Sequence, residues 1–230
     1  PGATAAHLAG LEVAAGLEAI DAAGAEVVVD FTNLEVSRQV LAHAAARGVH
    51  AVVGSTGFCE EDLARLAREF APGQGSGANC VIAANFAIGA VLMMRFAALA
   101  APWFDAAEIV ELHHEGKVDA PSGTALRTAE GMAVARAASG RAGLLADGTT
   151  TVVVEGARGG AGPGGVRLHS VRLPGLVAHQ EVLLGSPGQG LTIRHDAYDR
   201  ASFMDGVVLA VESVADRPGL TLGIEPLLGL

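Results

Sequence analysis

Short apolar runs alternate with amphipathic stretches through the first third of the chain. Residues 26–31 form a continuous apolar run closed by an acid, 49–53 a second, and 80–83 a third. Between them, 34–47 and 60–70 carry helical spacing. Strands apolar on both faces and separated by helices predict a parallel sheet covered on both sides. The turns Asp30-Phe31-Thr32-Asn33 and Gly54-Ser55-Thr56-Gly57 then fall at the carboxyl edge of that sheet, where such folds bind ligands.

Beyond Asn85 the pattern changes. Residues 87–101 predict a long helix stopped by Pro102, 107–112 a strand, and 122–138 a helix with Ser122 as its N-cap. The runs 150–154, 166–173, 179–184 and 191–195 follow as strands separated by Gly/Pro turns, which predicts a second, mostly antiparallel sheet. Residues 157–165 are glycine-rich and predict a mobile loop; 202–215 return to helix, and 218–230 form a compact tail. The expected class is α/β: a Rossmann-like parallel sheet domain, N-terminally truncated, plus an α+β domain with a mixed, mostly antiparallel sheet. The expected domains are 1–87 with 201–230, and 88–200.

Composition narrows the partners. A formal charge of −10 argues against nucleic acid, which needs a basic face, but leaves room for a local cationic pocket and an anionic small substrate. No apolar run approaches the roughly 18 residues of a membrane span; the nearest, 81–94, is shorter and contains Asn85. Two cysteines, Cys59 and Cys80, are too few for a disulfide scaffold and fit a reducing cytoplasm.

The candidate chemistry gathers in Glu111-Leu112-His113-His114-Glu115-Gly116-Lys117-Val118-Asp119-Ala120-Pro121-Ser122-Gly123-Thr124. Lys117 is the only lysine against fourteen arginines. An ammonium can give up its proton whereas a guanidinium cannot, so Lys117 beside two histidines reads as a proton donor. His113 and His114 lie on opposite sides of a strand end, one able to face a ligand. The alternatives are a merely basic strand end, or a zinc site, for which no third ligand is evident. Ser122-Gly123-Thr124 opens a helix whose unpaired N–H groups suit a carboxylate or phosphate, although an ordinary capped helix looks the same. A Ser122/His113/Asp119 triad lacks a nucleophile elbow. Gly54, Ser55 and Thr56, and likewise Ala83, Ala84, Asn85 and Phe86, form either plain turns or backbone against which a cofactor lies. Phe86 is either core or the flank of a flat ring. His43 and His50 read as structural; one of His169, His179 and His195 is expected at the site.

The fourteen-residue segment resembles the signature of the 4-hydroxy-tetrahydrodipicolinate reductase family. Val29-Asp30-Phe31-Thr32, Val52-Val53-Gly54-Ser55-Thr56-Gly57-Phe58 and Ala84-Asn85-Phe86-Ala87-Ile88-Gly89 add to the likeness. So do Arg172-Leu173-Pro174-Gly175-Leu176-Val177-Ala178-His179, Arg194-His195-Asp196 and Arg200-Ala201-Ser202-Phe203, in the form found in actinobacteria. The resemblance implies reduction of a cyclic imine dicarboxylate by NADH or NADPH in diaminopimelate and lysine biosynthesis. It implies His113 and Lys117 as proton donors or positioning groups, with His114, Ser122, Gly123 and Thr124 on the substrate carboxylates. It implies Gly54, Ser55, Thr56, Ala83, Ala84, Asn85 and Phe86 along the cofactor, no metal, and a cytoplasmic homotetramer built through the second-domain sheets.

Three departures stand beside it. Ser55 replaces a commoner threonine and Ala84 a commoner proline. The opening strand and Gly-x-x-Gly-x-x-Gly turn that cradle a pyrophosphate are absent from the sequence, with Pro1-Gly2-Ala3-Thr4 read as the residues just after such a turn. Weak NADH or NADPH binding by this chain is therefore expected. The competing expectations are another two-domain nicotinamide oxidoreductase, or a ligand-binding relative without activity.

Overall fold

The computed structural model describes residues 13–73, 77–141, 143–144 and 147–230, so the Pro1–Thr4 reading lies outside it. The chain divides into two compact units, Pro1–Ala84 with Leu209–Gly223, and Asn85–Val208 with Ile224–Leu230.

In the first unit, a short helix α1 (Glu18–Ala22) precedes β1 (Val27–Asp30), α2 (Leu34–Arg47), β2 (His50–Val53), α3 (Glu60–Glu69) and β3 (Cys80–Ile82). The strands pair in parallel in the order β1-β2-β3-β9, where β9 is Leu220–Leu222. The expected tail thus supplies a strand. Asn79 ties it in: its amide nitrogen donates to the carbonyls of Val214 and Ala215, and its Oδ1 accepts from Gly219 N. Helix α2 starts where Asn33 Oδ1 accepts from Glu35 N and Val36 N, and ends at Gly48 with φ 78°. Its inner residues Leu41 and Ala44 pack with Ala51, Val53, Leu66, Phe70 and Cys80 into one apolar core. Burial pushes the Cys80 thiol far up, so it is an inert core group.

The second unit contains α4 (Ile88–Ala100), β4 (Ala106–His113), α5 (Gly123–Ala138), β5 (Gly160–Ala161), β6 (Arg167–Arg172), β7 (Ala178–Ser186), β8 (Gln189–Ala197) and the start of α6 (Met204–Ser213). The sheet order is β5-β6-β4-β7-β8; only β4 and β6 pair in parallel. Alternation along β4 turns Ala107, Ile109 and Glu111 inward, where the first two join Met93, Ala97, Ala125, Ala129 and Met132 from the two long helices. Arg136 closes the far end, donating from Nη1 to the carbonyls of Ala101 and Phe104.

Two expectations are corrected. Residues 150–154 are not a strand: Val152, Val153 and Val154 are exposed, and no neighbouring strand pairs with them. β-Branched residues make a strand only against a partner. The glycine-rich 157–165 contains the edge strand β5, antiparallel to β6, rather than loop alone. Among the described residues no helix is long and apolar enough to cross a membrane.

Gly206, in the first turn of α6, sits against the Asn85–Phe86 main chain; a Cβ there would lie 2.0 Å from the Phe86 carbonyl oxygen. Helix propensity alone favours alanine by about 1 kcal/mol. The collision reverses the sign: Gly206→Ala is expected to destabilise by roughly 1–3 kcal/mol in urea titrations.

Candidate active site

The site in the second unit is organised by a buried carboxylate. Glu111 has no solvent exposure and sits on the apolar face of β4. Its Oε2 accepts from His113 Nδ1 at 2.5 Å and Arg172 Nη1 at 2.8 Å; its Oε1 accepts from Arg172 Nη2 at 2.8 Å and Ser122 N at 3.2 Å. Burial pushes Glu111 up, but hydrogen bonds from His113, Arg172 and Ser170 outweigh it and hold the group at about 2. The charge is therefore fixed, and so is the His113 ring: Nδ1 is committed to Glu111, leaving Nε2 for a ligand. Arg172 Nη2 also donates to the Asp119 carbonyl at 2.7 Å, pinning the loop that carries Lys117.

Glu111 likewise sets the start of α5. Ser122 N is held by the carboxylate, while Ser122 Oγ accepts from Ala125 N at 3.2 Å as the N-cap. The first turn of α5 carries no acidic side chain, in contrast to α3, which places Glu60, Glu61 and Asp62 there. The Gly123 and Thr124 N–H groups have no intrahelical acceptor, so this helix end favours an anion.

His113, Ser122 and Thr124 share a recess with Asn85, His179, Gln180, His195 and Phe203. The structure does not bring all the expected residues to its wall. His114 is exposed, and Gly123 lies beside the lining rather than in it. Lys117 Nζ pairs with Asp119 at 2.7 and 3.0 Å. The Ser122/His113/Asp119 triad does not form, since the three side chains are committed to Ala125, Glu111 and Lys117. Among the described residues no group of three His, Cys, Asp or Glu side chains is placed to hold a metal.

Of the three later histidines, two reach the recess. His179 is spent: Nδ1 donates to Asp196 at 2.7 Å while Nε2 accepts from Val177 N at 3.3 Å. His195 lies against Gly89, where a Cβ would approach its ring to 2.5 Å. Burial pushes His195 below the usual imidazole value, Asp196 partly offsets this and His179 adds to it. His169 instead pairs with Glu108 on the opposite face of the sheet. His43 and His50 contact Asp21 and Asn79 N in the first unit. Glu111, Arg172, Gln180 and His195 are the residues that sequence reasoning left without roles. For Glu111 there was a signal, a lone charge in phase with Ala107 and Ile109 on the apolar face of a strand.

In the first unit, the turn after β2 is held by buried hydroxyls. Asp30 accepts from Ser37 Oγ, which in turn lies 2.6 Å from Ser55 Oγ, so the Ser55 side chain is structural. Thr56 is exposed beside it. A Cβ on Gly54 would lie 2.2 Å from the Phe31 ring, so a larger residue there requires that half-exposed ring to swing away. After β3, Ala83 is buried and Ala84 exposed. Where the second unit begins, Asn85 Oδ1 accepts from Ala87 N, and Phe86 is a core residue at 1% exposure, with Gly206 packed against its carbonyl.

The family models for the N-terminus and C-terminus of dihydrodipicolinate reductase match residues 3–86 and 89–228. The chain belongs to the dihydrodipicolinate reductase family. It is 53% identical to the 4-hydroxy-tetrahydrodipicolinate reductase of Cutibacterium acnes over 95% of this chain and 87% of that one. It is 50% identical to that of Streptomyces coelicolor over 94% and 84%. A dipicolinate-bound dihydrodipicolinate reductase from Paenisporosarcina sp. TG-14 superposes with TM-score 0.78 at 40% identity, covering 92% of this chain and 77% of that one. An amine dehydrogenase from Mycobacterium smegmatis, at 14% identity and TM-score 0.51, shares the fold alone.

The held-down Glu111 value gives a pH dependence with a definite sign. A carboxylate whose folded value lies below its ordinary 4.5 contributes stability that is complete above that pH and lost as pH falls towards about 2. Glu111→Gln is expected to be less stable than wild type by roughly 3 kcal/mol near neutrality. The difference should shrink between pH 4.5 and 2, as read from urea unfolding at several pH values.

Proposed function

We infer that the chain catalyses the NAD(P)H-dependent reduction of 4-hydroxy-tetrahydrodipicolinate to tetrahydrodipicolinate in diaminopimelate and lysine biosynthesis. The observation that carries this, in a chain of this family, is one recess holding both the Glu111-oriented His113 and the acid-free first turn of α5. A cyclic dicarboxylate needs N–H or cationic partners for its carboxylates, and a positioned acid for the proton that follows hydride addition.

In this reading the N–H groups of Gly123 and Thr124, with Ser122 setting the helix start, hold one carboxylate. His114 serves the other from its exposed position on the loop. His113 presents Nε2 to the ring. The Lys117–Asp119 pair is partly exposed, and such pairs are worth only about 0–1 kcal/mol, so a substrate carboxylate can compete for the ammonium. Lys117 then supplies the proton, with His113 beside it as donor or orienting group.

NADH or NADPH, when bound, supplies the hydride. The residues fit such a group: Gly54-Ser55-Thr56 forms a turn at the carboxyl end of a parallel strand, with main chain unobstructed at exposed Thr56 and Gly57 at φ 98°. We read Ala83, Ala84, Asn85 and Phe86 as the segment that lies along the cofactor, with Ala84 exposed and Ala83 and Phe86 buried behind it. We place the protein in the cytoplasm, which suits two unpaired thiols.

We also read the outward face of the second sheet as the assembly surface of a homotetramer. Leu183 is exposed there, and the Glu108–Arg158, Glu108–His169 and Glu181–Arg194 pairs frame it. Leu183→Arg is expected to give a lower-mass species by light scattering, whereas a wild-type monomer would end this reading.

The functional test follows nicotinamide absorbance with the aldol product of pyruvate and aspartate semialdehyde as substrate. Lys117→Ala is expected to lower kcat by about 10²–10⁴-fold while dinucleotide affinity stays near wild type. Unchanged turnover would remove Lys117 from the mechanism.

A further inference from the structure

Among the polar groups of the recess that the proposed reaction does not use, Gln180 stands apart by an unmet hydrogen bond. Gln180 is 4% exposed and lies on β7 between Glu111 of β4 and His195 of β8, in register with both. Its Nε2 donates to Thr128 Oγ1 at 2.9 Å. The Thr128 hydroxyl has one proton and gives it to the Thr124 carbonyl at 2.8 Å. It can therefore only accept from Gln180, which fixes which end of the amide is nitrogen. Oε1 is left buried with no hydrogen-bond partner. Buried acceptors are rarely left so, because desolvation without a partner costs about 1–3 kcal/mol.

The position of this orphan relative to the helix end is informative. Thr124 and Thr128 are four residues apart on α5, about 6 Å along its axis at ~1.5 Å per residue. Over that distance the lining residues change from ones with N–H donors, which suit carboxylates, to one with a lone buried acceptor, which a carboxylate would repel. The separation matches a six-membered ring together with its carboxylate and a donor substituent. A ring anchored by a carboxylate at the helix end would bring its far side towards Gln180.

We propose that Gln180 Oε1 is a specificity-determining acceptor for an O–H or N–H donor on the bound ring. The inference rests on assigning the recess to a cyclic dicarboxylate. The donor is either the hydroxyl at ring position 4 or a ring N–H. A site that must satisfy its own buried acceptor discriminates against ligands lacking the donor more strongly than an apolar wall does.

The test is calorimetric titration of wild type, Gln180→Met and Gln180→Glu with four probes. Dipicolinate and isophthalate carry no ring donor, 5-hydroxyisophthalate carries a hydroxyl, and piperidine-2,6-dicarboxylate carries a ring N–H. Wild type is expected to bind one donor-bearing probe roughly tenfold more tightly than its donor-free counterpart, which also identifies the source. Gln180→Met should erase that preference while still binding dipicolinate; Gln180→Glu, which retains an acceptor, should keep it. The proposal is overturned if wild type shows no preference, if Gln180→Met keeps it, or if that variant weakens all four probes equally, as a purely structural role through Thr128 would. Loss of the preference in Gln180→Glu would also overturn it, even were Gln180→Met not to fold. Failure of wild type to bind any of the four, dipicolinate included, would instead sink the dicarboxylate assignment and this inference with it.

Discussion

A single ionised carboxylate with no access to water, Glu111, determines most of what the second unit presents to a ligand. Isolated burial of such a charge is prohibitive, and it is tolerated here because donors from three elements converge on it. His113 comes from the same strand, Arg172 from the parallel neighbour β6, and Ser122 N from the start of α5. The parallel register sets Ser170 opposite Glu111 and Arg172 opposite His113. A slip of one residue would turn the carboxylate to the outer face, carrying His113 with it but parting it from Arg172 and Ser122 N.

The same contacts explain why the helix end is ready for an anion. Two helix starts are satisfied by their own side chains: α2 through Asn33 and Glu35, α3 through Asp62 and two further acids. α5 uses one hydroxyl for one N–H and has no acid in its first turn. The negative charge nearby is Glu111, and it is neutralised by Arg172 rather than aimed at the helix axis. The field at Gly123 and Thr124 therefore stays positive. Arg172 also holds the Asp119 carbonyl, so the Lys117 loop and the helix end are fixed to the same guanidinium.

The sequence made much of this legible where the physics is local. The helices at 34–47, 60–70 and 122–138 follow from periodicity and capping residues, and their ends agree with the structure to within a residue. The tail strand β9 was not legible, because three residues become a strand only through a partner 140 positions earlier; Cys80 pairs with Leu220. Residues 150–154 failed for the converse reason, strand-forming side chains with no neighbour to bond. In the site, residue identity marked His113 and the Ser122–Thr124 turn. The hydrogen bonds that orient them go to Glu111, which is itself held by Arg172, some sixty residues later in the chain, where a strand register set their meeting.

The electrostatics of the recess point to a division between its two ends. The wall at α5 and His113 offers donors whose strength comes from a helix terminus and a carboxylate-held imidazole. Deeper in, the groups are neutral. Burial lowers His195, so near neutral pH its ring adds no charge, and His179 is locked between Asp196 and Val177. Gln180 adds a dipole rather than a charge. An anion is thus held at one end while the remainder of a ring meets uncharged polar groups. On the function proposed above, a dianion bound this way keeps its negative charge near the groups proposed to deliver the proton, where charge developing during hydride addition is best stabilised. Placing a cation at the neutral end would bind substrate more tightly but equally in ground and transition states, and binding of that kind does not speed the chemical step.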